Sequence, residues 1–117
     1  VEDNIYQTSQ YFDANACYET TFKDPKASSF WSATVYNADG RMFNDKANIS
    51  SEMVPVMNSD GTYTLRFGCE GQPNNIPTME GNKTGKFNVL IRHYNPSEPV
   101  SKGEKGYNPA TMIKKVG

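Results

Sequence analysis

"FWSATVYNADGRMF", residues 30–43, is the stretch on which the fold turns. Side chains alternate along an extended chain, so Trp31, Ala33 and Val35 point one way and Phe30, Ser32, Thr34 and Tyr36 the other. The first set is fully apolar and belongs against a core. The second is amphipathic and suits a groove, a second layer or water. The run ends in Asn37-Ala38-Asp39-Gly40, where glycine can take the positive φ that closes a tight turn. A short turn of this kind joins antiparallel neighbours. The segment therefore reads mainly as scaffold, and only Thr34 and Tyr36 have a claim on recognition.

Working outward, the same device recurs. "MVPVM" (53–57) runs into "NSDG" (58–61) and then "TYTLRFGC" (62–69), where Tyr63, Leu65, Phe67 and Cys69 alternate with Thr62, Thr64, Arg66 and Gly68. The flanks of the two turns match poorly, so shared turn chemistry explains the likeness better than an internal repeat. "KFNVLIRHY" (86–94) is the strongest strand: Phe87, Val89, Ile91 and His93 take one face, and Asn88, Leu90, Arg92 and Tyr94 the other. "NACYETTF" (15–22) and "TMIKKV" (111–116) are further strands. Two long polar stretches, 70–85 and 95–109, are loops broken by prolines, and loops of this length often carry function. No segment has a helical period. Six or more short strands with Gly/Pro turns predict an all-β, single-domain antiparallel β-sandwich, jelly-roll-like in its mixture of hairpins and long crossings. Residues 1–14 read as an N-terminal arm or edge segment, with Ile5, Tyr6, Tyr11 and Phe12 as candidate anchors, and residues 15–117 as the sandwich.

Composition agrees. The 117 residues suit one domain. Only Leu65 and Leu90 are leucines, against seven Tyr, six Phe and nine Gly, so aromatic and β-branched residues carry the apolar content. The formal net charge is −1 with scattered cations, which leaves no electrostatic footprint for nucleic acid or an anionic membrane. No apolar run approaches the ~20 residues of a membrane helix. No leader sequence is visible, and the chain opens on Val1 rather than Met, as a processed or trimmed product would. Cys17 and Cys69 are the only cysteines. Two free buried thiols are the expectation, because cysteine often packs as a small hydrophobe; a structural disulfide is the alternative, which spacing alone does not decide.

Much chemistry is excluded. A single histidine, His93, rules out a multi-histidine metal site. Asp39 and Asp60 lie in turns that do not match a calcium loop and read as turn chemistry. No nucleophile elbow, phosphate loop or dinucleotide fingerprint occurs. No cofactor and no metal are expected. The polar residues inside strands remain: Glu19, Thr34, Tyr36, Arg66, Arg92 and Tyr94. Gathered on one face, they would present aromatic rings and hydrogen-bonding charges, the combination that sugar-binding sandwiches use. The simpler reading is a structural ion pair of Glu19 with Arg92 or Arg66. Asn48-Ile49-Ser50 and Asn82-Lys83-Thr84 are formal N-glycosylation sequons.

"FWSATVYNADGRMF", "NSDGTYTLRF", "GKFNVLIRHYNP" and "GYNPATMIKKV" together resemble the C-terminal domain of a mostly bacterial family known as domain of unknown function 1214. The resemblance covers roughly residues 15–116. It implies a jelly-roll sandwich, often preceded by an immunoglobulin-like partner domain, in a bacterial or phage protein. The sequence departs from the family at Ile49-Ser50, where Arg-Tyr usually follows the asparagine, and at Asn75-Ile76-Pro77, where Trp-Leu-Pro is usual. No catalytic residues carry over.

The expectation is a non-catalytic binding or assembly domain that takes a carbohydrate or protein ligand through a sheet face and the long loops. One alternative is a small hydrolase or isomerase using Glu19, Arg92 and His93; the alternation that sends Arg92 and His93 to opposite faces counts against it. The other is a purely structural subunit of a homo-oligomer or larger assembly.

Overall fold

The computed structural model describes residues 4–23, 30–42, 47–51, 55–94 and 109–116. Among these residues nine strands form in chain order: β1 (Asn4–Thr8), β2 (Phe12–Asp13), β3 (Tyr18–Lys23), β4 (Phe30–Asn37), β5 (Asn48–Ser50), β6 (Thr62–Phe67), β7 (Asn75–Ile76), β8 (Lys86–Tyr94) and β9 (Lys114–Lys115). A 3-10 turn covers Pro109–Thr111. One sheet has the order β1-β8-β4-β5, with β2 also paired to β8; the other is β7-β6-β3-β9. All pairings are antiparallel except β6 with β7. The chain is thus an all-β two-sheet sandwich.

β4 and β8 are the paired centre of the larger sheet, in register from Phe30↔Tyr94 to Asn37↔Phe87. Both strands occupy the bounds that the alternation predicts. Their inward residues, Trp31, Ala33, Val35, Phe87, Val89, Ile91 and His93, are all buried. They meet Tyr18, Phe22, Leu65 and Phe67 of the second sheet. Phe22 stands edge-on to Trp31 with ring centroids 5.2 Å apart, and Phe87 contacts both Tyr18 (5.6 Å) and Phe67 (6.1 Å). Such tilted and edge-on geometry suits the quadrupoles of packed rings. Trp31 is therefore core, 1% exposed.

The turns form as read. The Gly40 amide donates to the Asn37 carbonyl with Gly40 at φ 75°, and the strand resumes at β5, in register Thr34↔Asn48. In the second turn Gly61 donates to the Asn58 carbonyl, and the Asp60 carboxylate accepts from both the amide and the hydroxyl of Thr62.

Three expectations need correction. The segment 15–22 becomes extended only at Tyr18, and the final strand shrinks to Lys114–Lys115 because its first residues form the 3-10 turn, whose Pro109 carbonyl accepts from the buried Thr20 hydroxyl. The cysteines are not free thiols: Cys17 and Cys69 are disulfide-bonded, with Cα atoms 4.9 Å apart. The physical reason lies in the register. Tyr18 pairs with Phe67 at the end of the β3–β6 ladder. Gly68 then leaves the strand at φ 74° and delivers Cys69 to Cys17. Neither cysteine lies inside a strand; each sits just beyond an end of the paired β3–β6 ladder, where the two meet.

Candidate ligand-binding face

β8 separates two chemistries across its thickness. Its inward side is core. Its outward side carries Lys86, beside Asp13 of β2, and then Asn88, Leu90, Arg92 and Tyr94, two residues apart each time. The register sets Tyr36 of β4 beside Asn88, Thr34 beside Leu90, Ser32 beside Arg92 and Phe30 beside Tyr94. On the other flank β1 sets Thr8 beside Leu90 and Tyr6 beside Arg92. Four of the six residues singled out in the sequence, Thr34, Tyr36, Arg92 and Tyr94, therefore share the outer face of the five-stranded sheet.

Arg92 is at the centre of that face. Its guanidinium lies over the Tyr6 ring, 5.8 Å from the centroid, a cation–π distance. It also hydrogen-bonds the Tyr94 side chain, which with the nearby phenols of Tyr36 and Tyr6 favours the charged form and outweighs the effect of burial. Phe30 packs against Tyr94 at 5.1 Å. Among the described residues no carboxylate contributes to holding the Arg92 charge. Its Nε is buried without a hydrogen-bond partner, and so is the Asn88 Oδ1 on the same strand. Buried polar atoms without partners are uncommon and call for a cause. Thr34 differs, because its hydroxyl is already committed to Asn48 Oδ1 at 3.0 Å.

Glu19 and Arg66 lie elsewhere, opposite one another on β3 and β6 of the second sheet. An ion pair of Glu19 with Arg92 is therefore excluded, since a sandwich core separates them. Arg66 donates to the Pro73 carbonyl at 3.1 Å. Glu19 and Arg66 line an open cavity of about 540 Å³ together with Cys17, Gly68, Cys69 and Glu70. Among the described residues no group of three His, Cys, Asp or Glu side chains could hold a metal ion.

His93 is inside the sandwich, 0% exposed, with neither ring nitrogen partnered among the described residues. Burial lowers its pKa from 6.5 to about 4, so the imidazole is neutral at ordinary pH. Glu19, Arg92 and His93 thus occupy three separate environments, and the catalytic arrangement considered from the sequence is not assembled.

The 70–85 loop is braced by its own side chains. Asn75 Oδ1 accepts from the Cys69 amide, Thr78 donates to the Ala14 carbonyl, and Asn82 Nδ2 donates to the carbonyls of Thr78 and Lys86. The sequon nitrogen of Asn82 is consumed by the fold. The other long loop lies, up to residue 108, outside the described residues. Two members of the outer face, Asn88 and Tyr6, were not among the candidate site residues read from the sequence. Asn88 was legible from the β8 alternation, whereas Tyr6 joins the face only through the pairing of β1 with β8.

The face and its scaffold define an all-β sandwich domain with a half-buried cation among tyrosines on one sheet face, beside the buried Ser32 and Thr34 of β4. The family model for proteins of unknown function DUF1214 matches residues 4–98, and the chain belongs to that family. Its fold is similar to that of the VPA0106 protein from Vibrio parahaemolyticus, with a TM-score of 0.73 and 23% identity over 98% of this chain. The chain spans 31% of the length of that protein. No curated protein sequence matches it.

Proposed function

We propose that this domain is a non-catalytic binding module that engages carbohydrate through the outer face of its five-stranded sheet. The observation that carries the reading is Arg92: a cation ringed by Tyr6, Tyr36 and Tyr94, with an unpartnered Nε and no carboxylate holding its charge among the described residues. Tyrosine offers a flat apolar ring with a polar edge, which matches a pyranose with one apolar face and a rim of hydroxyls. Arginine supplies donors in a planar fork. The chain's repeated crossing from one sheet to the other supports reading the sandwich as jelly-roll-like.

The test is titration of the protein with a panel of oligosaccharides, followed by backbone amide shifts. Binding should perturb β1, β4 and β8 and be saturable without turnover. Arg92→Ala and Tyr36→Ala should each abolish it while leaving the amide spectrum of the core intact. Unchanged binding in both variants removes this face as the site.

A further inference from the structure

We infer that the Cys17–Cys69 bridge is a reversible exchange site: a small amino-acid or peptide thiol enters the cavity beside it, forms a mixed disulfide with Cys17 and releases Cys69 as a buried thiol, with the fold retained. The site lies at the end of the β3–β6 ladder in the four-stranded sheet, away from the outer face of β8, and is independent of the carbohydrate reading.

A disulfide exchanges only where a thiolate can reach one of its sulfurs. Both cysteines line the open cavity of about 540 Å³. That volume is within the range of roughly 300–1,000 Å³ that small-molecule sites occupy. Cys17 is half-buried whereas Cys69 is 5% exposed, so Cys17 Sγ is the sulfur open to attack. Cys69 Sγ lies 3.3 Å from the Tyr18 carbonyl oxygen and 3.7 Å from that of Phe67, so a Cys69 thiol has an acceptor as soon as it forms. The incoming thiol loses its proton to solvent and its sulfur bonds to Cys17 Sγ. The Sγ–Sγ bond breaks, and its electron pair leaves on Cys69 Sγ, which takes up a proton. A second thiol then displaces Cys17 as a thiol, so the bridge is reduced and two thiols end as one disulfide. The same disulfide, supplied from outside, reverses both steps.

Reversibility rests on how each cysteine is held without the bridge. The Cys17 carbonyl accepts from the Val116 amide. The Cys69 amide donates to Asn75 Oδ1 at 2.7 Å, and the Cys69 carbonyl accepts from the Gln72 amide. Between the two segments run six paired residues of β3 and β6, from Tyr18↔Phe67 to Lys23↔Thr62. These bonds keep both backbones in place when the sulfurs part, so the dithiol stays adjacent and can close again. The charges around the cavity are of both signs: Glu19 and Glu70 line it with Arg66, and Lys114 pairs with Glu19 across β9. A lining of mixed sign suits a thiol that itself carries an ammonium and a carboxylate.

The experiment incubates the oxidised, folded protein with cysteine or reduced glutathione at neutral pH and locates adducts by peptide mass spectrometry after an acid quench. The global unfolding rate is measured separately in urea. The adduct should map to Cys17, and its rate should rise with thiol concentration to at least about tenfold above the unfolding rate. The amide spectrum of β4 and β8 should survive reduction, and oxidised glutathione should restore the bridge. In the single variants the Cys17 thiol of Cys69→Ala should take up glutathione from its disulfide, and the Cys69 thiol of Cys17→Ala should not while the protein is folded. Exchange no faster than unfolding at any thiol concentration overturns the inference, because the bridge then opens only in the unfolded chain. Loss of the native amide spectrum on reduction overturns it too, as does an adduct found chiefly on Cys69.

Discussion

The disulfide corner and the Arg92 face are both rich in polar groups, yet they are built on opposite terms. At the corner Gly68, Asn75, Thr78 and Asn82 are tied into bonds that close the loop onto β3 and β6. On the outer face of β8 Arg92 Nε and Asn88 Oδ1 are buried without a partner. Saturated polar groups hold a structure in place, because removing one partner strands the other at about 1–3 kcal/mol. An atom without a partner has no bond whose loss would strand another group. The two regions should therefore answer differently to mutation, the corner in stability and the face in binding.

The largest effect belongs to the bridge. It closes a sequence separation of 52 residues, and the chain-entropy model assigns such a cross-link roughly 4 kcal/mol. Cys17→Ser/Cys69→Ser should lose stability on that scale in urea denaturation while the β8 face retains its ligand if the protein folds. A double variant as stable as the wild type would remove the corner from the comparison.

Next comes Gly68→Ala. A Cβ at Gly68 would sit 2.6 Å from Thr78 Oγ1 and 2.8 Å from the Ala16 carbonyl oxygen, at φ +74°. Strain and overpacking together should cost about 3 kcal/mol. Gly40→Ala is the control. Its φ is nearly the same, at +75°, but nothing lies within 4 Å of the new Cβ, so only the conformational cost of about 1 kcal/mol remains. Equal losses in the two variants would show that the close approach at Gly68 contributes nothing.

His93 sharpens the contrast from within the core. Its folded pKa is lowered to about 4 from 6.5. Above pH 6.5 the imidazole is neutral whether folded or unfolded. Between 6.5 and about 4 the unfolded chain takes up a proton that the folded chain refuses, so stability falls as pH falls. The loss should approach about 3 kcal/mol at the lower end. Denaturation of wild type and His93→Leu at pH 7 and 4.5 checks it: the wild type should lose more on acidification than the variant, whatever the offset between them at neutral pH.

The smallest effect on stability belongs to Arg92→Ala, below about 1 kcal/mol, since among the described residues it gives up a cation–π contact with Tyr6 and a hydrogen bond to Tyr94. A large loss of stability there would make Arg92 a structural residue and erase the distinction between the two regions.

Legibility of these regions in the sequence was uneven for a physical reason. Alternation is a local property, so the faces of β4 and β8, the burial of Trp31 and the separation of Arg92 from His93 were all readable from residue order. The Asn-x-Asp-Gly turns were readable because positive φ is likewise local. Pairing is not local. Nothing within Asn4–Thr8 says that it lies beside β8, and Tyr6 joins Arg92 only because it does. The disulfide depends on where the β3–β6 ladder stops. The division of the six polar strand residues, four on one sheet and Glu19 with Arg66 on the other, depends on which sheet each strand enters.

By itself, then, the sequence determined an all-β chain, the bounds of its two central strands and the inward and outward side of each, because side-chain direction along a strand repeats every two residues. Only the tertiary structure decided which outward sides lie together, which cysteines meet and which polar atoms are left without partners, because those outcomes rest on contacts between residues far apart in the chain.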